Sequence, residues 1–422
     1  MKILIHSLYF HPDQTGICKY SGEMAQWLAA RGHRVEVVTG FPHYPQWKLA
    51  APHRRTRFLT EQWSEVTVHR VPHYIPNGGK VSALQRMLID GTFFLGSLVK
   101  WIALFSRRDR FDVVISVCPP MFTGIPALLS GWLRRVPWIY HVQDFQVDAA
   151  LRLKMLNIGV LGKLLYALEN FLMRRAGRVS SITDAMCRRA IAKGADAERT
   201  WLLPNWADVR GITPGPADNA FRRSLDLPPD SFLAIYAGAM GAKQGLDLVI
   251  EAADRLRGDL RFRFLMVGAG PEWQRLKDSA EQRGLHSILF LPVQPLEVLG
   301  DLLRAADVHL VIQKAEAADL VMPSKLTNIL AVGRPAIATA SEGTALSDVL
   351  EGAGTGCVVS PDDVNALVAA LQKLGIDPDH RARMGENARR YAEANLDQDA
   401  ILLRFEQQLI GLVREYKGAL KE

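Results

Sequence analysis

At 422 residues the chain is too long for one hydrophobic core, so two domains of about 200 residues are expected. Hydrophobic residues make up 48% and charged residues 23%, with no low-complexity tract, which excludes a disordered, collagen-like or disulfide-scaffold chain. The net charge of +7 hides a split: residues 1–205 carry 27 Lys and Arg against 14 Asp and Glu, a net of +13, whereas residues 206–422 carry the remaining 24 against 30, a net of −6.

A basic half joined to an acidic half points to an anionic contact for the first half; nucleic acid, an anionic membrane surface and a merely solvated basic face all fit. The N-terminus, MKILIHSLYFHP, is too short in its apolar stretch for a signal peptide and reads as a first buried strand. Cys18, Cys118, Cys187 and Cys357 are scattered, so no C-x-x-C zinc or redox site exists and a reducing cytoplasm is the expected compartment.

Short apolar runs rich in β-branched residues occur at 3–6, 35–39, 66–71, 113–117, 138–142 and 179–182, with amphipathic stretches such as 20–31 and 163–176 between several of them. The alternation restarts at 232–237 and continues at 262–267, 288–291, 308–312 and 336–339. Continuous rather than alternating apolar strands, each followed by a helix, indicate parallel sheets covered on both faces. Each half therefore reads as a doubly wound α/β unit. The break falls in the Pro-, Gly- and Asp-rich stretch 203–229. Domains are expected at 1–205 and 206–395, with 396–422 as a closing helix that returns toward the first domain. Ligands of such units bind at strand C-terminal ends, facing the cleft expected between two of them.

Residues 81–106 depart from the pattern. They are apolar, but Asp90 and Lys100 interrupt them and Arg107-Arg108 follow, so the uncharged run is shorter than the ~20 residues a membrane span needs. Two readings stay open. One is an interfacial helix with Phe93, Phe94, Leu95, Leu98, Trp101 and Leu104 as a wedge and Arg86, Lys100, Arg107 and Arg108 at headgroups; the other is a core helix covering the first sheet. The tail, 397–417, repeats apolar residues at helical spacing after a capping Asp.

Five places carry candidate chemistry. Gly16 follows the first strand where the chain turns into a helix, and a small residue there lets backbone amides approach an anion. At 138–148, WIYHVQDFQVD, an apolar strand ends in His141, Gln143, Asp144 and Asp148. The strand at 232–237 runs into Gly238, Gly241 and Gly245 with Lys243 among them, a loop suited to a diphosphate though not a Walker loop. The stretch VGAGPEWQRL places Gly268 and Gly270 after a strand, but without the third glycine and distant acid of a dinucleotide fingerprint. The densest group is QKAEAADLVMPSKLTNILAVG. A strand end and a loop with Lys314, Glu316 and Asp319 lead to a helix opened by Pro323 and Ser324, the latter a reasonable cap, with Lys325 and Asn328 on one face. No histidine pair has metal-ligand spacing, D-x-D at 377–379 and 397–399 follows no strand, and no G-x-S-x-G elbow occurs. No metal or cofactor is expected.

The order of these motifs, with the stretches TGICKYSGEMAQWLAARGHRVEVVT, HYPQW, HVQDFQVDA, PNW, KQGLDLVIEAADRL and MPSKLTNILAVG, resembles glycosyltransferase family 4 essentially end to end. It is most similar to the subgroup that includes the colanic acid fucosyltransferase of bacterial exopolysaccharide synthesis. The resemblance implies the GT-B fold, two Rossmann-like domains facing a cleft, and a retaining transfer from a nucleotide diphosphate sugar, GDP-fucose being favoured and a UDP-sugar open. It also implies that Gly16 lies beside the donor diphosphate or the acceptor and that His141 contacts the transferred sugar. Lys243 would then bind the diphosphate, with the amides around Pro323, Ser324 and Lys325 completing the cradle. His141, Asp144 and Lys243 become the candidate catalytic residues, and Gly238, Gly241, Gly268, Glu316, Asp319 and Asn328 join the donor side.

Two departures stand out. The family's E-x7-E pair would fall at 320 and 328, where this chain has Leu320 and Asn328, so Asp319 or Glu316 is the expected substitute carboxylate. The usual phosphate-binding arginine is also missing, Gly238-Ala239-Met240 standing in its place, so Lys243 would act with Lys314 or Lys325. The expected partners are the nucleotide sugar, a lipid-linked glycan acceptor and the anionic inner membrane surface, to which a cytoplasmic enzyme would attach peripherally; nucleic acid is not expected, since no binding module is present. The competing readings are a nucleotide-sugar isomerase or hydrolase on the same fold and a non-catalytic nucleotide-sugar-binding protein.

Overall fold

The computed structural model describes residues 1–13, 16–43, 47–49, 53, 56–78, 81–148, 159–315, 323–341 and 343–419. The chain divides into two compact units, Met1–Pro204 with Asp399–Glu422, and Asn205–Gln398.

The first unit is built on strands β1 (Lys2–His6), β2 (Arg34–Gly40), β3 (Leu59–Trp63), β4 (Val66–Val71), β5 (Val113–Cys118), β6 (Trp138–Val142), β7 (Arg178–Ser181) and β8 (Thr200–Leu202). They form one sheet in the order β3-β4-β2-β1-β5-β6-β7-β8. All pairings are parallel except β3 with β4. Every residue of β1, β5 and β6 is buried, as central parallel strands covered by helices on both faces require. β3, absent from the sequence reading, has the sequence LTEQW and no fully buried residue. Its polar alternation suits a solvated edge that no continuous apolar run announces.

The tail helix, Gln398–Ala419, belongs to this first unit. Leu402, Phe405 and Leu409 are buried, each such side chain being worth about 2 kcal/mol. Polar pairs fix its register: Trp27 Nε1 donates to Asp399 at 2.8 Å, and Glu406 accepts from Arg31 at 2.8 Å and pairs with His33 at 2.7 Å.

Helix Ala83–Phe105 lies on the first sheet, and the structure corrects its expected wedge. Phe93, Trp101 and Leu104 are buried within the domain, with the Phe93 and Trp101 rings 5.3 and 5.4 Å from the His6 ring. The outward stripe is instead Leu84, Leu88, Leu95, Val99 and Ile102. These recur at intervals of three, four and seven, on the face opposite Phe93. Close approach sets the orientation, because a Cβ at Gly96 would lie 2.2 Å from the Pro72 carbonyl oxygen.

The second unit holds β9 (Phe232–Ala239), β10 (Phe262–Ala269), β11 (Ile288–Leu291), β12 (Val308–Val311), β13 (Ala336–Thr339) and β14 (Gly356–Val359), paired in parallel in the order β11-β10-β9-β12-β13-β14. Two apolar layers cover its faces. Val249, Leu276, Leu367 and Leu371 lie in one, and Leu302, Leu326, Leu330 and Ala388 in the other. Both units are Rossmann-like parallel sheets, the GT-B domain type expected from the sequence.

Candidate functional site

The C-terminal edge of the second sheet gathers most of the donor-side residues. Gly238, near the end of β9, has φ 151°, a conformation L side chains rarely adopt. Space does not forbid a side chain there: a Cβ would meet the Lys325 Nζ and the Tyr236 hydroxyl at 3.8 Å, ordinary contact distances. The Lys325 ammonium sits 3.8 Å from the centroid of the Tyr236 ring. That ring is held in place by its hydroxyl, which donates to the Ala239 carbonyl at 2.6 Å. Burial pushes Lys325 down to about 7, because among the described residues no carboxylate faces it. A cation desolvated in this way is primed for an anion.

The loop after β9 continues through Gly241, whose N–H donates to the Gln244 side chain at 3.1 Å, into the turn Ala242–Gln244. Lys243 is exposed on this turn, and its carbonyl accepts from the Lys314 N–H at 3.0 Å. A Cβ at Gly245 would lie 2.9 Å from Lys314 Cγ. Lys325 therefore stands at the start of the loop, Lys243 within it and Lys314 at its end. Three cations around one glycine-rich turn can neutralise a diphosphate.

One helical turn beyond Lys325, the Asn328 Oδ1 is buried without a hydrogen-bond partner among the described residues, as is the Gln313 Nε2. Both can serve ligand hydroxyls, since an unmet buried polar group is costly until something pairs with it. The expected cap is corrected. Pro323, extended at φ −63° and ψ 118°, occupies the cap position of helix Ser324–Ala331, and Ser324 is its first residue, exposed and making no side-chain cap bond. Among the described residues, no side chain caps the first-turn amides. Glu316 and Asp319 lie outside the described residues.

Gly268 has a different explanation from Gly238. A Cβ there would fall 1.9 Å from the Gly238 carbonyl oxygen, and one at Gly270 would fall 2.2 Å from that of Met240. These glycines let the ends of β9 and β10 run side by side; they shape the loop from beneath.

In the first unit, Gly16 precedes helix Ile17–Ala30 at φ 56° and ψ −128°, and a Cβ there would meet none of the described residues within 4 Å. Among those residues, the space beside it is open. His141, near the end of β6, is buried with both nitrogens engaged: Nδ1 bonds to the Ser180 hydroxyl and Nε2 to the Gln143 amide, each at 2.9 Å. Burial pushes it down to about 4, so it is neutral at pH 7. Gln143 would have to move before the ring could reach a sugar. Asp144 follows, half-buried, its carbonyl accepting from the Cys118 thiol. Asp148 is corrected from ligand candidate to structural anchor. It is buried, with Arg189 and Lys193 each 2.9 Å away, and Lys193 is itself 2.5 Å from the buried Glu169.

One residue escaped the sequence reading: Tyr236 lies two positions before Gly238, hence on the same strand face, and this spacing is the available signal. Asp90, read from sequence only as an interruption of the apolar stretch, is buried against Gln146, whose amide donates to it. Burial raises its carboxyl to about 7. Among the described residues, no group of three His, Cys, Asp or Glu side chains converges as a metal site would.

Residues 15–206 match the family described as glycosyl transferase 4-like domain, and residues 218–391 match glycosyl transferases group 1. Over 417 residues the chain is 40% identical to the putative colanic acid biosynthesis glycosyl transferase WcaI of Escherichia coli K12, covering 97% of this chain and all of that one. In fold it is similar to sucrose-phosphate synthase from Thermosynechococcus elongatus, with TM-score 0.74, 19% identity and coverage of 98% and 99% of the two chains. It is also similar to Anabaena HepE in complex with UDP, with TM-score 0.72, 16% identity and coverage of 97% and 100%.

Proposed function

Because the chain belongs to the glycosyltransferases that join a 4-like domain to a group 1 domain, we propose that it is a retaining family 4 enzyme. It would move a sugar from a nucleotide diphosphate sugar to a lipid-linked glycan acceptor in exopolysaccharide synthesis. The carrying observation is the desolvated Lys325 beside Gly238, with Lys243 and Lys314 along the same loop. GDP-fucose is the favoured donor; the UDP bound by HepE keeps a UDP-sugar as the other choice.

In this reading the acceptor hydroxyl attacks the anomeric carbon on the leaving-group face. The bond from that carbon to the phosphate oxygen breaks, and the hydroxyl proton passes to the departing phosphate. The protein needs no nucleophile and no metal. Lys325, Lys243 and the loop amides stabilise the charge developing on the diphosphate, the kind of electrostatic help that carries much of enzymatic rate acceleration. Asn328 and Gln313 would hold donor hydroxyls, and the open space at Gly16 would admit the acceptor.

A thermal-shift screen against GDP, UDP, ADP and TDP, each with and without EDTA, tests this. A ligand at about 100 times its Kd adds about 2.7 kcal/mol of stability. Stabilisation by one nucleotide, unchanged by EDTA and lost in Lys243→Ala and Lys325→Met, supports the reading. Silence with all four overturns it.

A further inference from the structure

We infer that the outer helical face of the first unit is a docking surface for an anionic lipid bilayer, an inference that rests on the lipid-linked acceptor of the reading above. Although Asp90 and Lys100 interrupt its uncharged run, the Leu84–Phe105 stretch of helix Ala83–Phe105 is long and apolar enough, by length and composition alone, to cross a membrane. Its inner face, however, is committed to the sheet through Phe93, Trp101 and Leu104 and carries the buried Asp90. A helix anchored this way lies along a surface and offers its other face.

That face is apolar. Leu95 is 61% exposed and Ile102 69%. It continues onto the neighbouring helix Gly124–Arg134, which packs beside it and exposes Trp132 at 83% and Leu133 at 73%. The Arg134 guanidinium donates to the Phe105 carbonyl, which brings the two helix ends together. Helix Val160–Arg175, packed on Gly124–Arg134, adds exposed Leu164 and Phe171. Isolated exposed apolar residues are ordinary, but contiguous rows on adjacent helices mark an interaction site.

Charge identifies the occupant. The three helices contain two acids, Asp90 and Glu169, and both are buried. Their exposed charges are all positive: Arg86, Lys163, Arg174 and Arg175 on the helices, with Arg107, Arg108 and Arg135 just past two helix ends. Asp109, the next acid along the chain, is tied to Lys2 and Arg34 at 2.9 and 2.8 Å. An apolar surface bordered by arginines and free of exposed carboxylate within its helices complements acyl chains beneath anionic headgroups.

The test is sedimentation of the full-length protein with phosphatidylcholine vesicles and with vesicles containing roughly one-third phosphatidylglycerol, at low and high salt. Wild type should bind the anionic vesicles, and binding should weaken with salt. Leu95→Glu/Ile102→Glu should weaken it about tenfold or more, and Arg108→Glu/Arg135→Glu should erase the preference for anionic lipid. All four positions are exposed, and an unchanged melting temperature verifies the fold. Equal binding by wild type and Leu95→Glu/Ile102→Glu, or no binding by wild type, overturns the inference. So does a wild-type dimer that the same variant dissociates, since the face would then belong to a second copy. The nucleotide thermal shift, run on these variants, separates the two readings: a retained shift with absent vesicle binding removes the docking surface and leaves the transferase.

Discussion

Lys325 permits a quantitative pH experiment. Its ammonium is held down to about 7 by burial over the Tyr236 ring. A diphosphate placed against it restores a counter-charge and returns it toward the ordinary lysine range. Binding must then take up a proton wherever the free protein has lost it. At pH 7 about half of the free Lys325 is charged, and at pH 8.5 only a few per cent, so the Kd of a nucleoside diphosphate sugar should rise roughly tenfold over that interval. The donor's phosphates are esters with no proton to lose there, so the slope reports the protein. Titration calorimetry in two buffers of different ionisation enthalpy should show uptake of about half a proton at pH 7 and close to one at pH 8.5. Lys325→Arg, charged throughout, should bind without the slope. A wild-type Kd flat between pH 7 and 8.5, or the same slope in Lys325→Arg, would refute the placement of this ammonium against the diphosphate.

Three further outcomes follow from the geometry. Gly268→Ala, whose methyl would fall 1.9 Å from the Gly238 carbonyl oxygen, should lose about 3 kcal/mol in urea unfolding, whereas Gly16→Ala, which meets none of the described residues, should lose about 1 kcal/mol from backbone conformation alone; equal losses would contradict this. Burial holds His6 and His73 at about 3 and His141 at about 4 in the first unit, against His309 alone at about 4 in the second. Folded values below the unfolded 6.5 mean that the unfolded chain binds more protons, so stability is lost as pH falls from 6.5 toward 4, by about 3 kcal/mol for His141 alone. Hydrogen exchange on acidification should show the first unit opening before the second. Lys193→Met strands the Glu169 carboxylate in the interior, leaving Asp148 with Arg189, and should lower stability by about 4 kcal/mol, part of which Lys193→Met/Glu169→Gln should recover.

The parallel sheets were legible because their central strands are continuous apolar runs; β5 is VVISVC and β9 begins FLAIYA, and only burial on both faces suits such sequences. The glycine loop carrying Lys243 was legible because glycine and lysine after a strand have a direct chemical reading. β3, β8 and β14 were not, since short edge strands carry mixed residues that propensity does not separate from loop. Helix Ala83–Phe105 shows why periodicity failed locally. It is apolar nearly all round, so its sequence does not say which side faces the sheet, and the contact of Gly96 with Pro72 decides it.

The candidate site divides in the same way. Composition and order along the chain determined which loops carry glycines, lysines and amides, because those properties are local. Only the tertiary structure set Lys325 over Tyr236, engaged both nitrogens of His141 and turned Asp148 from a ligand candidate into an ion-pair anchor. Each of these depends on burial and on partners from distant strands and helices. The protonation state of a side chain is set by the dielectric and the charges around it, and a linear sequence holds neither.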